Sequence, residues 1–452
     1  MNIIIAGNGK VGSSLARRLS EEGYNLTLID SNPNVLADVC EDCDVIGVEG
    51  NCASMPVLQQ AGVEDADLLI AATSQDEVNL LCCTTAHGLN PRLHTIGRIR
   101  NPEYTQQIYA MRDVFALSLA VNPEKQAANE IESLLRFPGF LQRDTFAKGR
   151  TAIVELRVDR DSRLRNVSLN MLNSIVKCRV LVCAVLRDGD AITPGGTFVL
   201  QEGDRVFVTA PTANLSTLLK NLNILTRKAR KVLICGGGRI SQYLAEQLCK
   251  DGISVSIMEM DYDRCVHLAT ALPEVTVIHG DATDKSLLDE QGLNSCDALI
   301  SLTDTDELNM IISLYANNRN VPQVITKLGH PENRSISNSL ALGSVISPRE
   351  LCCDTIIRYV RAMSNLSGTA ESVHTIADGQ VEAVEFRVAA DTENQGTPLK
   401  NIRLREGVLL VSITHGSVTE IPGGNSAFLE GDTIVAVTSR RGSLRQINDI
   451  FA

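Results

Sequence analysis

The sequence predicts an α/β protein in which two Rossmann-like domains, each a doubly wound parallel sheet, alternate with two small α+β domains. Three observations carry that expectation. The chain repeats itself at a spacing of about 230 residues. Each repeat opens on a short apolar run that ends in a glycine cluster. Each repeat closes on a segment of alternating apolar residues built around Pro-Gly-Gly and Gly-Asp.

The repeat is read position by position. IIIAGNGKVG (3–12) falls on VLICGGGRIS (232–241), and GYNLTLIDSN (23–32) on GISVSIMEMD (252–261). VIGVEGNCAS (45–54) falls on VTVIHGDATD (275–284), and ADLLIAATSQDEVNLL (66–81) on DALISLTDTDELNMI, which sets Asn79 on Asn309. Further on, DAITPGGTFVLQEGDRVFVTA (190–210) resembles TEIPGGNSAFLEGDTIVAVTS (419–439). Self-similarity over so many positions signals duplication of a two-part unit. The expected domains are 1–140, 141–224, 225–370 and 371–452.

In the first and third of these, short Val/Ile/Leu runs alternate with helix-length stretches. That pattern belongs to βαβ units and to a parallel sheet covered on both faces. PEKQAANEIESLLRF (123–137) and PRELCCDTIIRYVRAM (348–363) read as crossover helices, each with proline in its first turn. In the other two domains, TAIVELRV (151–158) and VEAVEFRV (381–388) alternate like half-buried strands. Gly203-Asp204 and Gly431-Asp432 read as turns before further strands. LTRKARK (225–231) reads as a solvated linker between the halves.

Composition bounds the function. A chain of 452 residues holds three or four domains. Its 44% hydrophobic and 21% charged residues are those of a folded globular protein. Aromatics make up 4%, tryptophan is absent, and the formal net charge is −12. These argue against base-stacking surfaces for single strands and against a phosphate-backbone binder. VLVCAVL (180–186) and GVLLVSI (407–413) are strand-sized, far short of the ~20 apolar residues of a membrane-spanning helix. The N-terminal apolar residues open the glycine motif instead of a leader peptide. A cytosolic protein is expected, with any membrane role through a partner. The thirteen scattered cysteines suit a reducing compartment, and the lone CxxC, Cys40 to Cys43, reads as structural.

The glycines have a use. Gly7, Gly9 and Gly12 follow Ile3-Ile4-Ile5 and precede a helical stretch. The first glycine permits the tight turn, the second lets the backbone approach a pyrophosphate, and the third lets helix and strand pack closely. The helix start offers free N–H groups and a positive dipole end to the phosphates. The turn residues Asn8 and Val11 complete the loop, and Lys10 adds a cation. Asp30 closes the second strand, where an acid accepts from ribose hydroxyls and repels a 2′-phosphate. NAD(H) or an adenine nucleotide is therefore expected over NADP. In the second copy Gly236, Gly237 and Gly238 are followed by Arg239 and Ile240, with Ser241 at the third glycine position and Glu259 as the acid.

Doubly wound sheets bind ligands at the carboxyl ends of their strands. Topology places Asn51 and Asp281 after the third strands, as adenine readers, and Thr73-Ser74 and Thr303-Asp304 after the fourth. Arg98 follows the fifth strand, with Lys327 as its counterpart. Catalytic machinery does not stand out. The seven histidines (87, 94, 267, 279, 330, 374 and 415) are dispersed, and no GxSxG, P-loop or paired-carboxylate motif is present. No catalytic and no metal-ligating residue is therefore assigned.

GNGKVG, the Asp30 after LTLI, GNCASMPVLQQAGVEDADLLIAATSQDEVNLL and IRNPEY together resemble the regulator-of-potassium-conductance (RCK, or KTN) nucleotide-binding domain. The Pro-Gly-Gly and Gly-Asp segments resemble that family's C-terminal companion domain, so the resemblance covers essentially the whole chain. Two positions depart from the family pattern: Gly50-Asn51 stands for Gly-Asp, and Ser241 stands for the third glycine. The second departure widens the expected ligand there to ATP or ADP. The resemblance implies a non-enzymatic regulatory subunit on the cytoplasmic face of the inner membrane. It implies a ring of such domains, supplied by a homotetramer, docked on a potassium-translocating membrane protein of the TrkH or TrkG type. The rival readings are an NAD-dependent oxidoreductase on a duplicated Rossmann scaffold and a soluble sensor without a membrane partner.

Overall fold

Ile3, Ile4, Ile5 and Ala6 are all buried, which is why the first strand reads as an unbroken apolar run. A central parallel strand has helices on both faces and no solvent side to carry polar residues. The computed structural model describes residues 1–452 except 138, 225–228, 331–339, 341, 364–369, 440, 441 and 443.

The first sheet contains β1 (Asn2–Ala6), β2 (Asn25–Asp30), β3 (Ile46–Glu49), β4 (Leu68–Ala71), β5 (His94–Arg98) and β6 (Leu119–Val121). Its order is β3-β2-β1-β4-β5-β6, with every pairing parallel. Strand order reverses between β1 and β4, the crevice where doubly wound sheets hold ligands. The connecting helices are α1 (Lys10–Glu21), α2 (Pro33–Asp42), α3 (Met55–Gln60), α4 (Asp76–Leu89) and α5 (Pro102–Ala110). α6 (Pro123–Arg136) then leads out of the sheet, as the sequence predicts.

A five-stranded antiparallel sheet follows, of β7 (Arg143–Phe146), β8 (Thr151–Arg157), β9 (Leu181–Arg187), β10 (Asp190–Ile192) and β11 (Arg205–Pro211). Its order is β10-β9-β11-β8-β7, and α7 (Leu169–Val176) and α8 (Leu215–Asn221) accompany it.

The pattern then recurs. The second parallel sheet has β12 (Lys231–Cys235), β13 (Ser254–Glu259), β14 (Thr276–His279), β15 (Ala298–Ser301), β16 (Gln323–Lys327) and β17 (Ser344–Ile346). Its order, β14-β13-β12-β15-β16-β17, matches the first. Its helices are α9 (Arg239–Lys250), α10 (Tyr262–Ala271), α11 (Lys285–Glu290), α12 (Asp306–Asn318) and the crossover helix α13 (Pro348–Met363). The last sheet, β18-β19-β22-β20-β21, comprises β18 (Ala370–Ile376), β19 (Val381–Arg387), β20 (Val408–His415), β21 (Val418–Glu420) and β22 (Thr433–Thr438). Of the expected linker, 225–228 lie outside the described residues, and Lys231 already belongs to β12. No helix among the described residues is long and apolar enough to cross a membrane.

The chain divides into two units that do not follow the repeat boundary. The first is Met1–Asn129 with Gly238–Glu246 and Ser347–Val360; the second is Glu130–Gly237, Gln247–Ile346 and Arg361–Ala452. In the first unit, α13 packs beside α1 and α6. Arg18 bonds Asp354 at 2.7 Å, the Gln126 amide donates to the Thr355 hydroxyl at 3.0 Å, and His94 meets the Tyr359 hydroxyl at 3.1 Å.

In the second unit, the two antiparallel sheets share one core. Phe146, Ile153, Cys183 and Phe207 from one sheet pack with Ile376, Val381, Ala383, Val411 and Val435 from the other. The opposite face of the first of these sheets, with Val154, Leu156, Val206 and Val208, is covered by Leu172, Val176, Leu215 and Leu218 of its helices. This corrects the expectation of half-buried strands. β8 is buried at six of its seven residues because both of its faces are occupied.

Charge is buried there too. Arg205 pairs with the buried Glu155 and holds both carboxylate oxygens of Asp378 at 2.8 Å. Glu385, at the position repeating Glu155, instead accepts from the Ala147 amide and the Ser372 hydroxyl, each at 2.8 Å. Arg205→Met should leave Glu155 as a buried carboxylate without its cation and destabilise the second unit by about 3 kcal/mol. A lower urea midpoint, restored toward wild type when Glu155→Gln is added, is the expected result.

Candidate functional site

At the end of β1 the chain turns on Gly7, whose φ of +93° suits glycine. A Cβ here would lie 2.9 Å from the Cα and amide nitrogen of Thr73, because this turn and the one after β4 approach backbone to backbone. A Cβ on Gly12 would lie 1.9 Å from the Gly7 carbonyl oxygen, so α1 can start this close to β1 only with glycine there. Gly9 behaves differently. It caps α1, and a Cβ on it would meet nothing within 4 Å. The backbone at Gly9 therefore faces open space at the tip of the helix. Lys10 opens α1 and is exposed, while Val11 is buried beneath it.

Asp30, the last residue of β2, is tied to this turn. Its carboxylate accepts from the Asn8 amide at 2.6 Å and from the Asn32 amide at 2.9 Å. The Asn8 side chain is buried and donates to the Val35 carbonyl at 2.7 Å, leaving its Oδ1 without a hydrogen-bond partner among the described residues. Asn51 closes an Asx turn, accepting from the Ala53 amide at 3.0 Å. Thr73 and Ser74 follow β4, and Arg98 ends β5. The structure thus brings all the predicted residues of the first copy to one edge of one sheet.

Arg98 is partly buried, and its Nε finds no partner among the described residues. Burial first, and then the charge of Arg100, lower its pKa. Glu124 lies in the same charge cluster. Burial raises its pKa against the opposing pull of Arg100, Arg98 and Arg239.

In the second copy, Gly236, Gly237, Glu259, Asp281, Thr303 and Asp304 lie in the second unit, and Gly238, Arg239, Ile240 and Ser241 in the first. Gly236 has φ +103°, and a Cβ on it would lie 2.8 Å from the Leu302 carbonyl carbon, repeating the close approach at Gly7. Glu259 accepts from the Gly237 amide at 2.7 Å and from the Asp261 amide at 2.8 Å, repeating the bonds of Asp30. A Cβ on Gly237 would sit 3.0 Å from Glu259 Oε2 and 2.5 Å from Leu268. The longer acid and the smaller turn residue are therefore one compensated exchange. Asp281 forms an Asx turn with Thr283, like that of Asn51. Ser241 is fully buried where the first copy admits only glycine.

The family TrkA-N domain matches residues 3–117 and 232–348, and the TrkA-C domain matches 153–223 and 383–452. The chain belongs to the TrkA family. It is 30% identical, over all of both chains, to the Trk system potassium uptake protein TrkA homolog of Archaeoglobus fulgidus. It is 29% identical to the Trk system potassium uptake protein TrkA of Halomonas elongata, covering 100% of this chain and 98% of that one. Among solved structures it is similar to the GsuK channel, with a TM-score of 0.63 at 17% identity over 97% of this chain and 76% of that one. The GsuK channel bound to NAD gives a TM-score of 0.60 at 17% identity with the same coverage. At that identity the likeness is one of fold.

TrkA membership leaves the local chemistry to the chain itself, and two pairs of residues there were not assigned roles from sequence. Asn79 is fully buried. Its Oδ1 accepts from the Thr73 amide at 2.8 Å and the Thr73 hydroxyl at 2.7 Å, and its Nδ2 donates to the Arg98 carbonyl at 2.8 Å. Asn309 repeats this with Thr303 and the Lys327 carbonyl. Asp76 accepts from the Arg100 and Asn101 amides, and Asp306 from the Gly329 and His330 amides. The signal was present, since Asn79 and Asn309 align in the repeat, but alignment does not say which backbone groups a side chain reaches.

Three histidines, His330, His374 and His415, lie beside carboxylates. His330 lies 3.1 Å from the same Asp306 that holds its loop. No group of three or more His, Cys, Asp or Glu among the described residues is placed to hold a metal ion. Burial pushes the Cys83 and Cys235 thiols up to about 12, so they stay protonated and unreactive.

Asn79→Ala should strand the Thr73 amide and the Arg98 carbonyl inside the protein, at a cost of about 2–3 kcal/mol. Faster amide hydrogen exchange at residues 72–75, together with a lowered denaturation midpoint, is expected.

Proposed function

We propose that this chain is the nucleotide-binding regulatory subunit that gates a potassium-translocating membrane protein. The observation that carries the reading is the first crevice. There an acid at the end of β2 fixes the amide of a glycine turn, and the tip of α1 stands open beside it. A dinucleotide or nucleoside polyphosphate fits such a crevice. Membership of the TrkA family supports the potassium-transport role, because the relatives carry the name of a potassium uptake protein. The GsuK channel has been seen bound to NAD, and GsuK bound to ADP gives a TM-score of 0.51 at 14% identity, which supports NAD(H) and ATP or ADP as ligands.

In this reading Gly7, Asn8, Gly9, Lys10, Val11 and Gly12 cradle the phosphates, Asp30 takes the ribose, and Asn51, Thr73, Ser74 and Arg98 line the rest. Gly236, Gly237, Glu259, Asp281, Thr303 and Asp304 do the same in the second half, whose turn continues through Gly238 to Ser241. The division into domains at 1–140, 141–224, 225–370 and 371–452 belongs to the same reading. So do a homotetramer and a partner of the TrkH or TrkG type at the cytoplasmic face of the inner membrane.

Regulation follows from differential affinity. A ligand with equal affinity for two conformations shifts neither, however tightly it binds. A coupling of about 1–3 kcal/mol changes the ratio of states about 5–150-fold. Asp30 and Glu259 transmit the occupancy of a crevice to the backbone, since each is bonded to the turn that would meet the phosphates. The oxidoreductase reading requires hydride transfer. NADH absorbance that changes with a metabolite at enzymatic speed would establish it, and co-purification with a membrane transporter would exclude a free-standing sensor.

Gly9 has φ −74°, a conformation that valine adopts without strain, and its open side is where the pyrophosphate would lie. Gly9→Val should therefore abolish measurable NADH binding in the first crevice, with circular dichroism unchanged. Asp30→Ala should weaken NADH by about tenfold and narrow its preference over NADPH. Calorimetry measures both, and unchanged affinity in both variants refutes the site.

A further inference from the structure

The two crevices differ on the side of the acid away from the glycine turn. In the first, Asp30 pairs in register with Glu49 of β3, and Ser31 and Pro33 follow the acid. In the second, Glu259 pairs with His279 of β14, and Met260 and Tyr262 follow. Small, polar or acidic groups in one crevice are replaced by a thioether and two rings in the other.

These replacements are held in place. Asp261 caps α10 by accepting from the Arg264 amide at 2.8 Å, so Tyr262 starts a fixed helix. The His279 Nε2 lies 3.0 Å from the Met260 carbonyl oxygen, which orients the imidazole. The two rings meet edge to face, with centroids 5.5 Å apart and planes at 78°. Yet Tyr262 is 65% exposed and Met260 69% exposed. A fixed aromatic pair that leaves most of its surface to water is a place where a flat apolar ligand gains by binding.

We propose that Tyr262, His279 and Met260 form a base-stacking platform that makes the second crevice selective for purine nucleotides. The inference rests on the reading of Glu259 as the ribose group. Adjacent strands lie about 4.8 Å apart, so a nucleotide running from the β12 turn past Glu259 of β13 carries its base over the end of β14. That is where His279 and Tyr262 stand. A purine presents more stacking surface than a pyrimidine. The first crevice has Ser31, Pro33 and Glu49 at the matching positions and so lacks this platform.

The absence of tryptophan from the chain makes the test direct. Tyr262→Trp in the full-length protein places one tryptophan at the proposed platform, read by selective excitation without interference. Titration with ADP should quench it saturably, with UDP requiring about tenfold more, the scale of a stacking difference. Tyr262→Ala should lower ADP affinity at the second crevice by about tenfold or more in calorimetry while leaving the first crevice unchanged. Because Tyr262 is exposed, both variants should keep their circular dichroism. Equal quenching by ADP and UDP, or unchanged ADP affinity in Tyr262→Ala, overturns the platform while the nucleotide reading stands. Failure of wild-type protein to bind any adenine nucleotide overturns both.

Discussion

Parallel strands that end at a common edge leave backbone amides and carbonyls facing a crevice, and everything built at that edge depends on how those groups are satisfied. This chain satisfies them with side chains of its own. Asp30 and Glu259 hold the turn amides after β1 and β12. Asn79 and Asn309 bridge the fourth and fifth strands of each sheet, and Asp76 and Asp306 hold the loops beyond the fifth. A buried polar group left unpaired costs more than its hydrogen bond is worth in water. These carboxylates and amides therefore order each edge and tie the turn at its centre to the end of the neighbouring strand.

The duplication shows which features of that edge tolerate change. The acid is Asp beside Asn8 and Glu beside Gly237, where the longer acid occupies the space that a Cβ on the turn residue would need. The position of Gly12 admits no Cβ in the first copy, yet Ser241 is buried in the second. The Asx turn survives Asn51 against Asp281, because both side chains present the same acceptor oxygen. The bridging asparagines do not change at all, since both halves of the amide are used, one to accept and one to donate. Divergence accumulates instead on the exposed flank, where Ser31, Pro33 and Glu49 stand opposite Met260, Tyr262 and His279.

The antiparallel sheets have diverged by a different rule. Their shared core places Glu155 and Glu385 at repeating positions in a buried setting, and each has acquired its own partners, a guanidinium in one case and a backbone amide with a hydroxyl in the other. Burying a carboxylate requires some compensation but not a particular one.

The sequence by itself determined the repeat, the alternation of parallel and antiparallel sheets, the two glycine turns with their acids, and the crossover helices α6 and α13. Each of these rests on local chemistry: a glycine where φ is positive, a proline in a first turn, an apolar run with the period of its strand. Only the tertiary structure decided that α13 packs in the first unit, that β8 is buried on both faces, and that Asn79, Asp76 and their counterparts hold the strand ends. Those outcomes depend on which surfaces distant segments present to one another. A side chain that bonds a backbone group 19 or 24 residues away leaves no periodic mark on the sequence. The alternation expected of 151–158 failed for the same reason, because its second buried face is supplied by strands more than 200 residues further along the chain.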